Sequence, residues 1–203
     1  MSTCPPFAAA VLPRSFYARP AVEVAPELLN KLVVRPDGRA GRIIEVEAYA
    51  GAADPASHAY RGLTRRNATM FGHPGHLYVY FSYGVHWCAN VVTGAEGEAA
   101  AVLLRALDPV AGLPLMRAAR WSGQKRQVDR DLCRGPGRLC QALGIDRSLD
   151  GADLTGGGPL WVADDGTAPP ARPAASPRVG ISVAQDRLWR FAVENHHGLS
   201  GPR

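Results

Sequence analysis

Glu45, Glu47 and Tyr49 alternate along the stretch EVEAY, and His58 follows nine residues after Tyr49. On a β-strand alternate residues share one face, so this spacing lines one side of a strand with two carboxylates and a phenol. Such a set is costly beside a core unless it has partners or a task. The chemistry it suggests is a carboxylate that activates water beside rings that hold a flat ligand. A second segment, LYVYFSYG (77–84), places Tyr78 and Tyr80 on one face and Leu77, Val79 and Phe81 on the other, which belongs in the core. Tyr83 falls at a hairpin tip beside Gly84, where turns favour small and polar residues. It either packs back on its own hairpin or projects as a wedge of the kind that enters a duplex minor groove. Tyr49, His58 and Tyr80 together can wall a planar group, each stacked base being worth about 1–3 kcal/mol.

The elements that must position these residues follow from the surrounding pattern. LVVRPDGRAGRIIEVEAY reads as strand, turn, strand, with Pro36-Asp37-Gly38 as the turn. HLYVYFSYGVHWCANVV (76–92) reads as two strands joined near Ser82-Tyr83-Gly84, and AAVLLRAL (100–107) as a buried strand. Pro26 suits the first turn of a short helix to Leu32. Asp108-Pro109 suits the cap of a helix running toward Arg120, TRRNATMF one or two helical turns, and GPGRLCQALGI a further helix. PLWVAD, RVGIS and LWRFAV read as closing strands, within a Gly-, Pro- and Ala-rich stretch (155–177) taken as surface loop. The sum is one α+β domain with a curved, mainly antiparallel β-sheet and surrounding helices. The expected organisation is a flexible segment over 1–25, one domain over 26–195 and a tail over 196–203, with His196 and His197 exposed near the terminus.

At 203 residues and 46% hydrophobic content the chain can build a substantial core. No stretch approaches the ~20 apolar residues of a membrane span, and the N-terminal FAAAVL is too short for a signal-peptide core. Cys4, Cys88, Cys133 and Cys140 form no CxxC pair, so ordinary thiols are expected in place of a zinc site or a disulfide framework. Net charge is +5, and residues 117–138 alone hold seven cations against two acids, 7 − 2 = +5. A localised basic stretch suits a polyanion such as a nucleic-acid backbone, although a solvated helix face has the same composition. Only Lys31 and Lys125 occur among the 23 basic residues, which limits Schiff-base chemistry.

GRIIEVEAY followed by His58, then MFGHPGHLYVYFSYGVHWCANV, VLLRAL and GPGRLCQALGI, resembles the alkyladenine (3-methyladenine) DNA glycosylase family over roughly Pro26 to Phe191. The resemblance implies a protruding hairpin whose tip enters the minor groove. It implies Glu47 as the base that activates water and Arg105 as its partner. Tyr49, His58 and Tyr80 become the walls that stack on a flipped base, and Asn90 the floor residue opposing undamaged guanine. Tyr83 becomes the intercalating residue, and the Val179 backbone carbonyl a holder of the water. Glu45 is a structural carboxylate paired with an arginine. The implied reaction is monofunctional hydrolysis of an N-glycosidic bond, leaving an abasic site in base excision repair. Cationic purines, 3-methyladenine and 7-methylguanine, leave readily; hypoxanthine and ethenoadenine need a proton, and no second acid is evident. Arg65, Arg66, Arg117, Arg120, Lys125 and Arg126 are the candidate phosphate contacts, with affinity falling steeply in salt.

The implied partner is double-stranded DNA holding damaged purines, bound by a monomer in the cytoplasm or nucleus, with no cofactor and no metal. Two other readings stay open on the residues. One is a metal-dependent hydrolase using Glu45, Glu47, Asp54 and His58. The other is a non-catalytic nucleic-acid binder with the tyrosines as stacking platforms.

Overall fold

The computed structural model describes residues 9–121 and 128–201. Its spine is the antiparallel pair of β3 (Ala40–Ala50) and β6 (Ala100–Ala111). On one side lie β2 (Leu32–Val34), β7 (Trp161–Asp164) and β1 (Ala10–Val11); on the other, β5 (His86–Thr93) and β4 (Leu77–Ser82). β9 (Arg190–Ala192) pairs with β3 over Glu45–Glu47, and β8 (Ala174–Ser176) pairs with β9. Every pairing is antiparallel, as expected for an α+β fold.

The two faces of this sheet have different covers. One carries Val33, Val46, Val79, Val91 and Leu104 into the main core, with Tyr17 and residues of α2 (Ala21–Leu28), α3 (Leu113–Trp121) and α4 (Pro136–Leu143). The other carries Tyr78, Val92 and Ala101 against Ala59 and Met70 of the long segment after β3. Alternation thus places Leu77 and Val79 in the main core and Tyr78 and Tyr80 on the second face, as the spacing predicts. Phe81 departs from it: expected in the core, it is 43% exposed and packs on Trp87, next to the pair that closes the hairpin.

Several expected boundaries are corrected. The helix placed after Pro26 runs over Ala21–Leu28 instead, with Pro26 in its last turn. Ala21, Val24, Ala25 and Leu28 form its buried face at the 3-4-7 helical spacing. The segment expected to be flexible holds β1, α1 (Arg14–Tyr17) and the start of α2, and the Tyr17 side chain is fully buried. Asp108-Pro109 caps no helix; β6 continues through them to Ala111, Pro109 lying opposite Gly41 beside a register shift that accommodates a residue without an N–H. α3 begins after Gly112, whose φ of +69° turns the chain. RVGIS is not a strand, since Val179 gives its amide to a side chain.

The β4–β5 hairpin closes on a turn with positive φ at both central residues, +48° at Tyr83 and +67° at Gly84, and Val85 N–H donates to Ser82 O at 2.9 Å. Beside the turn α4 presses close: a Cβ on Gly137 would lie 2.6 Å from the ring of His86, the residue paired with Ser82. The outer edge of β4 is occupied. Val79 N–H donates to Asp150 Oδ1 at 2.9 Å, Leu77 N–H to Ala152 O at 2.8 Å, and Gly151 N–H to Leu77 O at 2.7 Å. No helix among the described residues is long and apolar enough to cross a membrane. Cys88, Cys133 and Cys140 are free and buried; Cys4 lies outside the described residues.

Candidate active site

Two bulges build the floor of the site. Opposite β3, the β6 register steps from Leu104 to Ala106 and leaves Arg105 as an extra residue; β3 correspondingly steps past Ile44. A bulge re-aims the side chain it carries, and Arg105 reaches both carboxylates of EVEAY. Its Nε donates to Glu45 Oε1 at 3.0 Å, and its Nη1 lies 3.2 Å from Glu47 Oε1. Both carboxylates are fully buried. Burial acts to lower the Arg105 pKa, but the charges of Glu47 and Glu45 outweigh it and hold the guanidinium above its ordinary value.

Glu47 accepts two further hydrogen bonds, from Val179 N–H to Oε1 at 2.7 Å and from the Tyr49 hydroxyl to Oε2 at 2.8 Å. Val179 therefore meets the carboxylate through its amide; the role expected of its carbonyl was to hold the water. Burial first, and then the Glu47 charge, raises the Tyr49 phenol far above its usual range, so it stays a donor. Glu45 is differently held: Arg190 Nε, Ser200 N–H and Ser200 Oγ all donate to it, besides Arg105. The residue expected to be structural does pair with arginine, and with two of them.

Above this floor opens a cleft of about 670 Å³, within the usual range for small-molecule sites. Tyr49, His58, Tyr80, Asn90, Arg105 and Val179 line it, and the hairpin tip with Tyr83 stands at its rim. Glu47 sits behind Tyr49, Arg105 and Val179. Tyr78 and Tyr80 stack at 5.5 Å, and the His58 ring meets Tyr80 edge-on at 4.5 Å. His58 Nδ1 lies 3.2 Å from the Tyr78 hydroxyl, a partner that sequence alternation had grouped with Tyr80 but given no role. Burial and the Arg66 charge push the His58 pKa below 6.5. Asn90 is buried, and its Nδ2 donates to Tyr78 O at 3.1 Å.

A second buried ion pair locks the wall. Arg178 and Asp54 are both fully buried and joined through both guanidinium Nη atoms; Arg178 Nη1 also donates to Ala48 O at 2.9 Å. The guanidinium lies over the Tyr49 ring at 4.6 Å. This pair ties the loop bearing His58 to the loop bearing Val179. The sequence offers Asp54 only as a ligand in the metal-dependent reading, and gives Arg178 no role beyond its place one residue before Val179.

The candidate phosphate contacts divide. Arg117 is held by Asp129 through two hydrogen bonds, and Arg120 by Gln141 at 2.5 Å. Arg66 lies over the Tyr80 ring at 5.3 Å and donates to Phe81 O at 3.3 Å, inside the cleft. Arg65 is exposed. Lys125 and Arg126 lie outside the described residues. Lys31 is bound to Asp164 at the β2–β7 side of the sheet. Among the described residues, the group at metal-binding spacing is Asp108, His196 and His197, not Glu45, Glu47, Asp54 and His58. There His196 Nδ1 accepts from Gly198 N–H at 3.1 Å and His197 is exposed.

The chain is similar to known proteins of one family. A model of the methylpurine-DNA glycosylase family matches residues 15–197. A protein of Burkholderia lata is 59% identical over 199 residues, covering 98% of this chain and 95% of its own length. One of Streptomyces avermitilis is 48% identical over 195 residues (93% and 90%), and one of the archaeon Methanocella arvoryzae is 47% identical over 191 residues (91% and 93%). All three bear the name "Putative 3-methyladenine DNA glycosylase".

Proposed function

This chain belongs to the methylpurine-DNA glycosylase family and is a DNA glycosylase that hydrolyses N-glycosyl bonds, and from that premise we propose that Glu47 is its water-activating base and that its substrates are alkylated purines flipped out of duplex DNA. The observation that carries this reading is a fully buried carboxylate set directly behind an aromatic cleft and held by Arg105, Tyr49 and the Val179 amide. A carboxylate offers about four acceptor positions. Three are spoken for by these donors, and the fourth is the seat of the attacking water.

The flipped base lies between Tyr49 on one side and His58 and Tyr80 on the other, over Asn90 at the floor. The bond from C1′ to the base nitrogen breaks and its electron pair leaves with the base. The sugar becomes oxocarbenium-like, stabilised by the Glu47 charge. Water adds to C1′ and gives its proton to Glu47, leaving an abasic site. A ring-alkylated base such as 3-methyladenine or 7-methylguanine is already cationic and departs neutral. Hypoxanthine and ethenoadenine must gain a proton. His58, with its lowered pKa, is a neutral wall near pH 7 and not an acid, so these neutral lesions form the slower class. Tyr83 fills the gap that the base leaves in the stack, at some expense of unstacking. Lys31 is engaged by Asp164, which suits water as nucleophile and no strand cleavage.

The test uses duplex DNA with a single 7-methylguanine, in EDTA, with released base and abasic sites measured. Wild type releases base and Glu47→Gln does not, while both bind the duplex. Loss of release on chelation supports the metal-dependent reading instead, and binding without release supports the non-catalytic one.

A further inference from the structure

The reach of the active site extends to the C-terminal segment. Ser200 is 5% exposed, although it lies in a stretch with no strand or helix. Its hydroxyl accepts from Arg105 Nη2 at 3.0 Å and donates to Glu45 Oε1 at 3.0 Å, and its N–H donates to Glu45 Oε2 at 2.6 Å. The segment is tied down on both sides of these contacts. Arg134 Nε donates to Leu199 O at 2.8 Å, and Arg190 Nη2 donates to Ser200 O at 2.9 Å.

The guanidinium of Arg105 is therefore held at three nitrogens by three groups: Nε by Glu45, Nη1 by Glu47 and Nη2 by Ser200. A bulge residue has no ladder partner to fix its backbone orientation, so these side-chain contacts determine where the charge lies. Two of the three come from the Glu45–Ser200 unit. Around it, Glu45 and Glu47 are matched by Arg105 and Arg190, two acidic side chains against two basic ones.

We infer that Ser200 is a positioning residue for the reaction: the segment around it, strapped over Glu45, holds Arg105 against Glu47. Ser200 touches neither the cleft's aromatic walls nor Glu47 in any contact described above. Its influence on the chemistry passes through Arg105. The inference rests on the assignment of Glu47 as the base. It separates the two carboxylates of EVEAY by role, Glu45 anchoring the arginine that Glu47 uses. Arg105 aligned in this way fixes the Glu47 carboxylate, whose charge faces the developing sugar cation and the water, and so acts on the reaction and not on ground-state DNA binding.

The experiment compares single-turnover release of 7-methylguanine, enzyme in excess, with affinity for a duplex holding a tetrahydrofuran abasic analogue. Ser200→Ala lowers the release rate by about ten- to a hundredfold, the scale of a misplaced group, and leaves affinity for the analogue unchanged. Ser200→Thr, which keeps the hydroxyl, restores most of the rate. Ser200→Gly removes the hydroxyl without adding volume and takes the place of Ser200→Ala if that variant does not fold. Release at the wild-type rate by the hydroxyl-less variant overturns the inference, as does an equal fall in rate and affinity. No release by the wild type itself overturns the functional assignment along with it, which distinguishes the two failures.

Discussion

The floor of the cleft and the tip of the hairpin stand at opposite extremes of order. At the floor and the wall beside it, the side chains of Glu45, Glu47, Asp54 and Arg178 are without solvent exposure, and each is held by an opposite charge and by further hydrogen bonds to backbone or hydroxyl groups. At the tip, Tyr83 is 88% exposed and Val85 73% exposed. A two-residue turn alone sets the direction of the tyrosine. The floor must be over-determined, because a buried charge that loses its partner is expensive. On the proposed function the tip meets its partner from outside, and packing it against its own protein would defeat that. Its non-glycine residue at φ +48° is a conformation costing roughly 1–2 kcal/mol, a strain consistent with a side chain kept for binding.

Substitutions at the two places break this contrast in different currencies. Glu47→Gln is the largest: base release falls by about 10²–10⁴-fold, the scale of general-base catalysis, with duplex binding kept. Rate loss accompanied by loss of binding would count against its assigned role. Next, Asp54→Ala leaves Arg178 buried and unpaired and lowers folding stability by about 3–5 kcal/mol in a denaturant titration. A change below 1 kcal/mol would mean that solvent reaches the pair. Tyr83→Gly is expected to do the reverse. Stability moves by less than about 1 kcal/mol, since relief of strain offsets a looser unfolded chain. Affinity for a lesion-bearing duplex weakens by about 1–3 kcal/mol, the worth of one stacked ring. Unchanged affinity would return Tyr83 to a hairpin ornament.

The smallest effect is protonic. Burial, with Arg66 second, keeps the folded His58 pKa below 6.5. The unfolded chain then takes up this proton first as pH falls. The associated stability is whole above pH 6.5 and fades as pH drops through the folded value. An NMR titration of the His58 ring should show a midpoint below 6.5 that rises in Arg66→Ala. The same protonation places a positive charge beside a cationic base, so release of 7-methylguanine should decline over that acid range.

How much of this the residues disclosed beforehand depended on whether the relevant distance was local. Alternation in LYVYFSYG and EVEAY was enough to sort Tyr78 and Tyr80 from Leu77 and Val79, and to place Glu45 and Glu47 on one face, since strand period is a local rule. Arg105 came from resemblance; periodicity cannot foresee a bulge that turns one residue out of register. Pro26 and Asp108-Pro109 misled for the same reason in reverse. Both are strong local signals, and both were overridden, by an amphipathic run upstream and by the long pairing with β3. Arg178 with Asp54, and Ser200 with Glu45, are separated by 124 and 155 positions in the chain. No spacing rule joins them, and only the fold brings them together.

The occupied edge of β4 has a bearing on life at high concentration. β4 ends the sheet, and an open outermost strand is a template on which a second molecule can add its own. Here Asp150 and Ala152 take the amides of Val79 and Leu77, and Arg66 caps the carbonyl of Phe81. The strand that bears Tyr80 is thereby denied to another copy's backbone. The side of the strand left open to a partner is the one that faces the cleft.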